Sequence, residues 1–313
     1  MAEPLTYPRA VRIREVGPRD GIQSERAEVS TADKVRLINA LSDSGLRYLE
    51  AASFVSPRAV PQMADVREVF AGIERRPEVV YSALVPNRRG AEAAVECGAD
   101  GMQVFIAATD SYNLRNLRRT ARESMADVHE VAAVAAAAGI PLEGTISTAF
   151  GCPYEGDVPP ERVVEVSRWM IDAGIDTISY GDTTGMGTPR RVQVVVGALR
   201  ESVPELVLNM HFHDTRGTGL ANVLAALQLG VDYFDASIGG MGGSPFAAGA
   251  TGNVATEDLV HMLADMEVET GIDLDKLIEA ARVAQDLIAG ELPGKVLRAG
   301  PRWIVAGPVT EAS

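Results

Sequence analysis

This 313-residue sequence predicts an α/β protein in which eight strands alternate with helices to form a (β/α)8 barrel of the TIM type. One observation is a pattern that occurs five times: a helix-like stretch, a glycine, a few polar or small residues and a short strand. A second is the spacing of those glycines, at 53, 41, 35 and 56 residues. Since a βα unit needs roughly 30 to 40 residues, each of the two long spacings has room for one more unit.

The five glycines each stand where a helix ends and a left-handed backbone is needed, which glycine adopts at little cost. They are Gly45, Gly98, Gly139, Gly174 and Gly230. The segments after them are short and rich in β-branched or aromatic residues, as buried parallel strands are. VVYSALV and LVLNMHFH fill the two long spacings, and VRIREV precedes the first helix. The predicted strands start near residues 11, 46, 79, 102, 142, 176, 206 and 231.

The predicted helix starts agree with this division. Helix-initiating residues precede three of the helices, at Ser30-Thr31, Pro159-Pro160 and Thr188-Pro189. We expect one barrel domain over residues 1–290 and a short C-terminal extension over 291–313, where no clear period is found. A doubly wound open sheet is the alternative, but it rarely contains eight such regular units.

Composition excludes several classes of protein. Apolar residues make up 46% of the chain, so it can bury a core and is not disordered. The net charge of −14 argues against a nucleic-acid partner, which needs a basic surface. Two cysteines are too few for a disulfide framework. No apolar run is long enough to span a membrane, and no signal peptide is recognised, so we expect a cytoplasmic protein.

Polar residues gather at the carboxyl ends of the predicted strands, which is where barrels of this type place their active sites. A random surface would scatter them. They are Arg19, Asp20, Glu50, Ser53, Asp182, Thr183, His211, His213, Asp214 and Ser237.

His211 and His213 give the sharpest signal. Residues i and i+2 of a strand point to the same face, so both imidazoles can face the barrel mouth and share one metal ion. The chain has only four histidines, and two of them are here. Two hydrogen-bonded core histidines are the alternative. Asp20 is the first choice for a carboxylate ligand, although Arg-Asp-Gly also suits a simple turn.

Two further features admit a functional and a structural interpretation. Residues 239–253, GGMGGSPFAAGATGN, hold six glycines and predict either a lid or a flexible loop. A group of arginines follows predicted strands 3 and 4, and in an acidic protein it predicts either a site for the phosphates of a nucleotide-bearing ligand or a solvated helix face. The group is Arg88, Arg89, Arg115, Arg118 and Arg119.

Six segments together resemble the 3-hydroxy-3-methylglutaryl-CoA lyases, a metal-dependent barrel family related to the isopropylmalate synthases. They occur in family order across most of the chain. The segments are EVGPRDGIQSE (15–25), EAASFVSPRAVPQMAD (50–65), GCPYEGD (151–157), GDTTGMGTP (181–189), HFHDTRGTGLAN (211–222) and GATGNVATEDLV (249–260).

The resemblance implies a role for each matching residue. Arg19 is the cation beside the substrate carbonyl, and Gln23 and Ser53 contact the substrate. Glu50, Ser53 and Asp182 complete the polar wall of the site. Arg118 and Arg119 are assigned to substrate binding from the basic group described above. The implied metal ligands are Asp20, His211, His213 and Asn253.

One position departs from the family. The lyases carry a catalytic cysteine in a Gly-Gly-Cys-Pro context, and this chain has Ser244 there, in Gly242-Gly243-Ser244-Pro245. A hydroxyl can donate a hydrogen bond, but it is a much weaker acid than a thiol. The departure concerns the reaction and leaves the predicted fold unchanged.

The implied reaction is a retro-Claisen cleavage of an acyl-CoA. A divalent cation, Mg²⁺ or Mn²⁺ from the mixed oxygen and nitrogen ligands, would lower the pKa of the substrate hydroxyl. Asp20 or His211 would remove its proton, and Arg19 would stabilise the enolate of acetyl-CoA. The alternatives are a lyase for another hydroxyacyl-CoA such as citramalyl-CoA or a longer branched analogue, a keto-acid aldolase, and a catalytically weak paralogue that binds acyl-CoA. We expect no membrane partner, and a homo-oligomer is an open expectation.

Overall fold

Eight parallel strands pair in chain order, and the last pairs with the first, so the sheet is closed. The computed structural model describes residues 6–25, 27–243 and 252–304. The predicted barrel is confirmed, and each predicted strand start lies within two residues of the observed one. The strands are β1 (Arg12–Glu15), β2 (Tyr48–Ser53), β3 (Val80–Leu84), β4 (Gly101–Ala107), β5 (Leu142–Ser147), β6 (Thr177–Gly181), β7 (Val207–His211) and β8 (Tyr233–Ala236).

Helices follow every strand and cover the outside of the barrel. The loop after β4 holds an additional helix, α4, which the sequence pattern did not indicate. The helices are α1 (Thr31–Asp43), α2 (Val66–Gly72), α3 (Arg88–Glu96), α4 (Asp110–Leu117), α5 (Ala121–Ala138), α6 (Pro160–Asp172), α7 (Pro189–Ser202), α8 (Gly219–Leu227), α9 (Thr256–Asp265), α10 (Leu274–Ile288) and α11 (Lys295–Ala299).

The helix ends have the capping residues and glycines that the sequence predicts. The side chain of Ser30 accepts a hydrogen bond from the backbone of Asp33 at the start of α1, and Thr188 does the same for Arg191 at the start of α7. All five predicted glycines have positive φ angles, between 66° and 92°. A residue with a side chain would not fit in place of Gly45, since its Cβ would also lie 2.6 Å from the carbonyl oxygen of Gly271.

The apolar core lies between the sheet and the helices. Leu37, Ile38 and Leu41 of α1 and Val196 and Leu199 of α7 are fully buried there. The interior of the barrel holds a polar layer instead, in which Arg14 of β1 spans toward β5 and β8. This layer lies directly beneath the carboxyl ends of the strands, so it supports whatever is built at the barrel mouth.

The C-terminal segment packs against α9 and the turn after β8. The Asp258 carboxylate accepts hydrogen bonds from the backbone N–H groups of Lys295 and Val296. The Gly294 N–H donates to the carbonyl of Gly239. Among the residues that the structure describes, no helix combines the length and the apolar character that a membrane crossing requires.

Candidate metal centre and active site

A tight turn at the end of β1 carries the first two site residues. Residues Gly17–Gly21 form a π-helical turn, a feature that often accompanies functional sites. Gly17 is required there because a Cβ would lie 2.6 Å from Glu15 Oε1, which accepts hydrogen bonds from the backbone N–H groups of Gly17 and Ile238. Glu15 therefore ties this turn to the turn after β8. Arg19 and Asp20 project from the turn with about 13–14% of their side chains exposed.

His211 is the last residue of β7, and His213 follows two residues later. Their Nε2 atoms face each other at 3.2 Å. His213 is buried, and its Nδ1 atom has no hydrogen-bond partner in the described part of the chain. Burial, and then the neighbouring His211, lower the pKa of His213 to about 3, so its ring is neutral and able to act as a ligand.

Asp20 completes a group of three side chains that could hold a metal ion. One potential ligand atom from each of Asp20, His211 and His213 lies within 4.8 Å of the others, and Asp20 Oδ2 is 3.9 Å from His211 Nε2. Burial would raise the pKa of Asp20, but the charge of Arg19, the neighbouring His211 and the hydrogen bond from Asn253 outweigh it and leave the pKa below its ordinary value. Two ring nitrogens and one carboxylate fit a divalent cation.

Asn253 lies beside this group and pairs with His213 in an isolated β-bridge. Its Nδ2 donates to Asp20 Oδ2 at 2.8 Å and to the carbonyl of Met241 at 3.0 Å. The amide therefore turns its nitrogen toward Asp20, and binding of a cation through Oδ1 requires rotation of the amide. Gly242 permits this close approach, because a Cβ there would lie 2.5 Å from Asn253 Nδ2.

Arg19 joins Asp20 to Glu50. Its Nε and Nη2 atoms contact Glu50 Oε2 at 2.7 and 2.6 Å, and its Nη1 donates to Asp20 Oδ1 at 2.7 Å. Burial raises the pKa of Glu50 although Arg19 opposes the shift. The register between β2 and β3 shifts between Glu50 and Ala52, a bulge of the kind that redirects side chains near functional sites.

Asp182 follows β6 and is almost fully buried. Its Oδ1 accepts hydrogen bonds from the backbone N–H groups of Met186 and Gly187, both at 2.8 Å. Its Oδ2 has no partner among the described residues. Burial raises the pKa of Asp182 to about 7, which is the range in which a carboxyl can exchange a proton at neutral pH.

The remaining predicted substrate residues are less constrained. Ser53 ends β2, fully buried, and its hydroxyl has no partner within the part of the chain that is described. Gln23 is partly buried just after the Arg19 turn. Ser244 lies outside the described residues.

The five arginines differ in their contacts, and Arg89 is exposed with no ion pair among the described residues. Arg88 pairs with Glu92, and Arg119 pairs with Asp127 at 2.6 Å. Arg115 lies over the ring of Tyr154, 4.1 Å from its centroid. Arg118 ends α4 in the left-handed conformation, is exposed, and has no ion pair among the residues described. Only part of the basic group is therefore free to meet an anion.

Sequence reasoning missed Asp235 on β8, which contacts His211. Its carboxylate Oδ2 is 3.1 Å from His211 Nδ1, and Arg14 binds the same carboxylate. The single acidic residue in the buried strand YFDA is the signal in the sequence, because a buried charge needs a partner.

The chain is similar in sequence to proteins of known activity. The family model described as HMGL-like matches residues 10–284. The hydroxymethylglutaryl-CoA lyase of Bacillus subtilis is 44% identical over 294 residues, which cover 94% of this chain and 98% of that protein. A 3-hydroxy-3-isohexenylglutaryl-CoA/hydroxymethylglutaryl-CoA lyase of Pseudomonas aeruginosa is 45% identical over 278 residues, covering 89% and 93%.

Solved structures agree with the sequence relatives. The structure of an HMG-CoA lyase from Acinetobacter baumannii, in complex with coenzyme A and 3-methylmalate, superposes with a TM-score of 0.91. It is 41% identical, and the match covers 96% of this chain and 98% of that one.

Proposed function

Because this chain belongs to the HMGL-like family, we propose that it is a carbon–carbon lyase that cleaves 3-hydroxy-3-methylglutaryl-CoA to acetyl-CoA and acetoacetate. The observation that carries the proposal is the position of Arg19 beside the group formed by Asp20, His211 and His213. Arg19 donates a hydrogen bond to Asp20 of that group. A cation site and a rigid cationic fork thus lie side by side, and an enolate-forming cleavage needs both.

Asp20, His211 and His213 would hold the divalent cation, with Asn253 as a further ligand once its amide rotates. Mg²⁺ or Mn²⁺ suits this set of oxygen and nitrogen donors better than a sulfur-rich zinc site does. When bound, the cation supplies Lewis-acid chemistry, since coordination lowers the pKa of a substrate hydroxyl.

The cleavage itself requires a base, an electron-accepting thioester and a proton donor. A base takes the proton of the substrate's tertiary hydroxyl, the O–H electrons form the ketone carbonyl, and the C2–C3 bond breaks. Its electron pair passes to the thioester as the enolate of acetyl-CoA, and a proton donor then protonates C2 of this enolate to give acetyl-CoA. Asp20 and His211 are the proposed bases, and Asp182 and Glu50 lie in the polar wall around them. Arg19 would stabilise the charge that develops on the thioester oxygen.

Substrate binding is assigned to Gln23 and Ser53 near the acyl group, and to Arg118 and Arg119 near the CoA phosphates. The A. baumannii relative binds coenzyme A, which supports an acyl-CoA ligand for this chain. Ser244, in place of the family's cysteine, is the proposed hydrogen-bonding residue of the loop after β8. We also expect a cytoplasmic location and leave a homo-oligomer as an expectation.

A second candidate substrate carries a longer branched acyl group. The P. aeruginosa relative is named for 3-hydroxy-3-isohexenylglutaryl-CoA as well as for the methyl compound. Since Ser244 departs from the lyase pattern, an altered acyl preference would agree with both observations. Citramalyl-CoA, a free keto acid and a binding-only role are the other outcomes to separate.

The test is release of acetyl-CoA from each candidate thioester by the metal-free protein, before and after addition of Mg²⁺ or Mn²⁺. We expect metal-dependent release from the methylglutaryl or the isohexenylglutaryl thioester, with the matching keto acid as the second product. Release from citramalyl-CoA alone, cleavage of a keto acid without CoA, or binding without any cleavage would each overturn the proposal.

A further inference from the structure

Asp235 and His211 form a contact whose direction is fixed by chemistry. The Asp235 carboxylate, from β8, is about 4% exposed, and its Oδ2 lies 3.1 Å from His211 Nδ1. An ionised carboxylate only accepts hydrogen bonds, so the ring must donate from Nδ1. A neutral ring with its proton on Nδ1 has its lone pair on Nε2, the atom that faces His213 and Asp20.

Four further hydrogen bonds hold the Asp235 carboxylate in place. Arg14 binds it with two nitrogens, Nε to Oδ1 and Nη2 to Oδ2, both at 2.9 Å. Asn209 Nδ2 donates to Oδ1 at 2.7 Å, and the Ser179 hydroxyl donates to Oδ2 at 3.0 Å. Donors from β1, β6 and β7 thus leave the carboxylate no freedom to turn away from His211.

Arg14 is itself fixed from the opposite side of the barrel. Its Nη1 donates to Glu143 Oε2 at 2.6 Å, and Tyr233 donates to the other oxygen of Glu143 at 3.2 Å. Arg14 is only 3% exposed. A bidentate guanidinium is the group that best satisfies a buried carboxylate, so the charge of Asp235 is retained inside the barrel.

We propose that Asp235, held by Arg14, is a positioning residue that keeps the Nε2 atom of His211 free and aimed at the cation. This inference rests on the proposed cation site. Carboxylates that orient a ligating histidine in this way typically raise metal affinity 10- to 100-fold. The competing interpretation is that Asp235 only neutralises Arg14, in which case metal affinity would not depend on it.

The test uses the full-length protein and Mn²⁺, whose binding is measured by titration calorimetry and by its electron paramagnetic resonance signal. Asp235→Asn is nearly isosteric, but it places an amide N–H₂ among donors. If the amide nitrogen faces His211, the ring must move its proton to Nε2, where it blocks the cation. We expect Mn²⁺ affinity to fall roughly 10- to 100-fold.

The matched control is Tyr233→Phe. It removes one hydrogen bond at the Glu143 end of the same buried network, 3.2 Å long, and leaves Asp235 and His211 untouched. We expect Mn²⁺ affinity within about twofold of wild type for this variant, since its lost partner does not reach a ligand.

A second measurement needs no variant. With four histidines in the chain, nitrogen NMR of the Mg²⁺-loaded wild type can report which ring nitrogen of His211 carries the proton. The proposal requires Nδ1–H. An Nε2–H ring, or equal Mn²⁺ affinity in wild type and Asp235→Asn, would overturn it. Wild-type protein that binds no Mn²⁺ would overturn the cation site itself, which is a separate result.

Discussion

Arg19 places two of its nitrogens, Nε and Nη2, on a single oxygen of Glu50, at 2.7 and 2.6 Å. The same guanidinium reaches Asp20 through Nη1. This arrangement fixes the plane of the guanidinium before a substrate arrives. Because Glu50 is buried and its partner atoms are so close, Arg19 cannot swing into solvent without leaving a buried carboxylate unpaired.

We predict that Arg19→Lys lowers kcat about 100-fold and changes KM much less. An ammonium cannot reproduce the fork on Glu50, and stabilisation of a developing oxyanion acts mainly in the transition state. Steady-state kinetics on the thioester that the enzyme cleaves best provide the measurement. An unchanged kcat would mean that Arg19 serves only to hold Glu50 and Asp20 together.

Asp20→Ala and His213→Ala should each weaken Mn²⁺ binding more than about 100-fold, because each removes a direct ligand, which should cost at least as much as loss of an orienting partner. Circular dichroism should remain that of the folded barrel. Asp176→Ala, at the opposite end of the barrel before β6, is the control and should bind Mn²⁺ normally. Undiminished affinity in both ligand variants would exclude this cation site.

The double variant Arg118→Gln/Arg119→Gln should raise KM for a CoA thioester about tenfold, which corresponds to about 1.4 kcal/mol of binding. KM for the pantetheine analogue should not change, since that analogue lacks the nucleotide phosphates. Arg88→Gln is a suitable control because Arg88 lies on α3, away from the end of α4 that carries Arg118 and Arg119. Equal effects on both substrates would assign these arginines to a solvated surface.

Ser244→Cys should increase turnover of 3-hydroxy-3-methylglutaryl-CoA, and the wild-type enzyme should be slow with this substrate. The pKa of a thiol lies much closer to neutral pH than that of a hydroxyl, and general acids act best there. The substitution is nearly isosteric, so a loss of stability should not obscure the gain. Wild-type turnover near 10 per second, a typical enzyme value, would show that serine suffices.

The burial of Glu257 should make the free energy of unfolding depend on pH. It accepts a hydrogen bond from the Gly239 backbone through one oxygen, while the other oxygen has no partner among the described residues. Burial raises the pKa of Glu257 to about 8. Between its ordinary pKa and that value the folded state binds more protons than the unfolded state, so the stability from this group is complete at acid pH and is lost as the pH rises.

Glu257→Gln should therefore become more stable relative to wild type as the pH rises from about 5 to about 8, by a few kcal/mol at most, since one pKa unit is worth about 1.4 kcal/mol. Thermal melts over that range measure the difference. Exposed Glu130→Gln on α5 is the control and should melt in parallel with wild type. A constant difference for Glu257→Gln would show that Glu257 is ionised throughout.

Much of the barrel follows from local chemistry. Gly139 and Gly174 mark helix ends because few other residues take their backbone angles, and the strand after each is found by counting forward. The predicted strand starts differ slightly from the observed ones. For example, Val231 and Asp232 have the pattern of a strand, but pairing with β1 and β7 begins at Tyr233. The resemblance to known lyases supplied Asn253, which composition and spacing alone did not single out.

The buried polar contacts beneath the site could not be predicted from the sequence. Arg14 and Glu143 are separated by 129 residues, and their contact exists only because β1 and β5 face each other across the closed barrel. No local pattern states which of the many charged residues will meet inside. The orientation of the Asn253 amide is likewise a consequence of packing against Asp20 and Met241.

The contact between Asp20 and Asn253 joins residues 233 positions apart and has a consequence for synthesis. A ribosome delivers the turn after β1 early, whereas His211 follows only with β7 and Asn253 only after β8. During most of translation β1 has β2 on one side and no β8 on the other, so its free edge needs protection until the ring closes. The proposed cation site needs His211 and His213 as well as Asp20, so a cation could not bind there during these early stages. It would bind only chains that have been synthesised beyond β7.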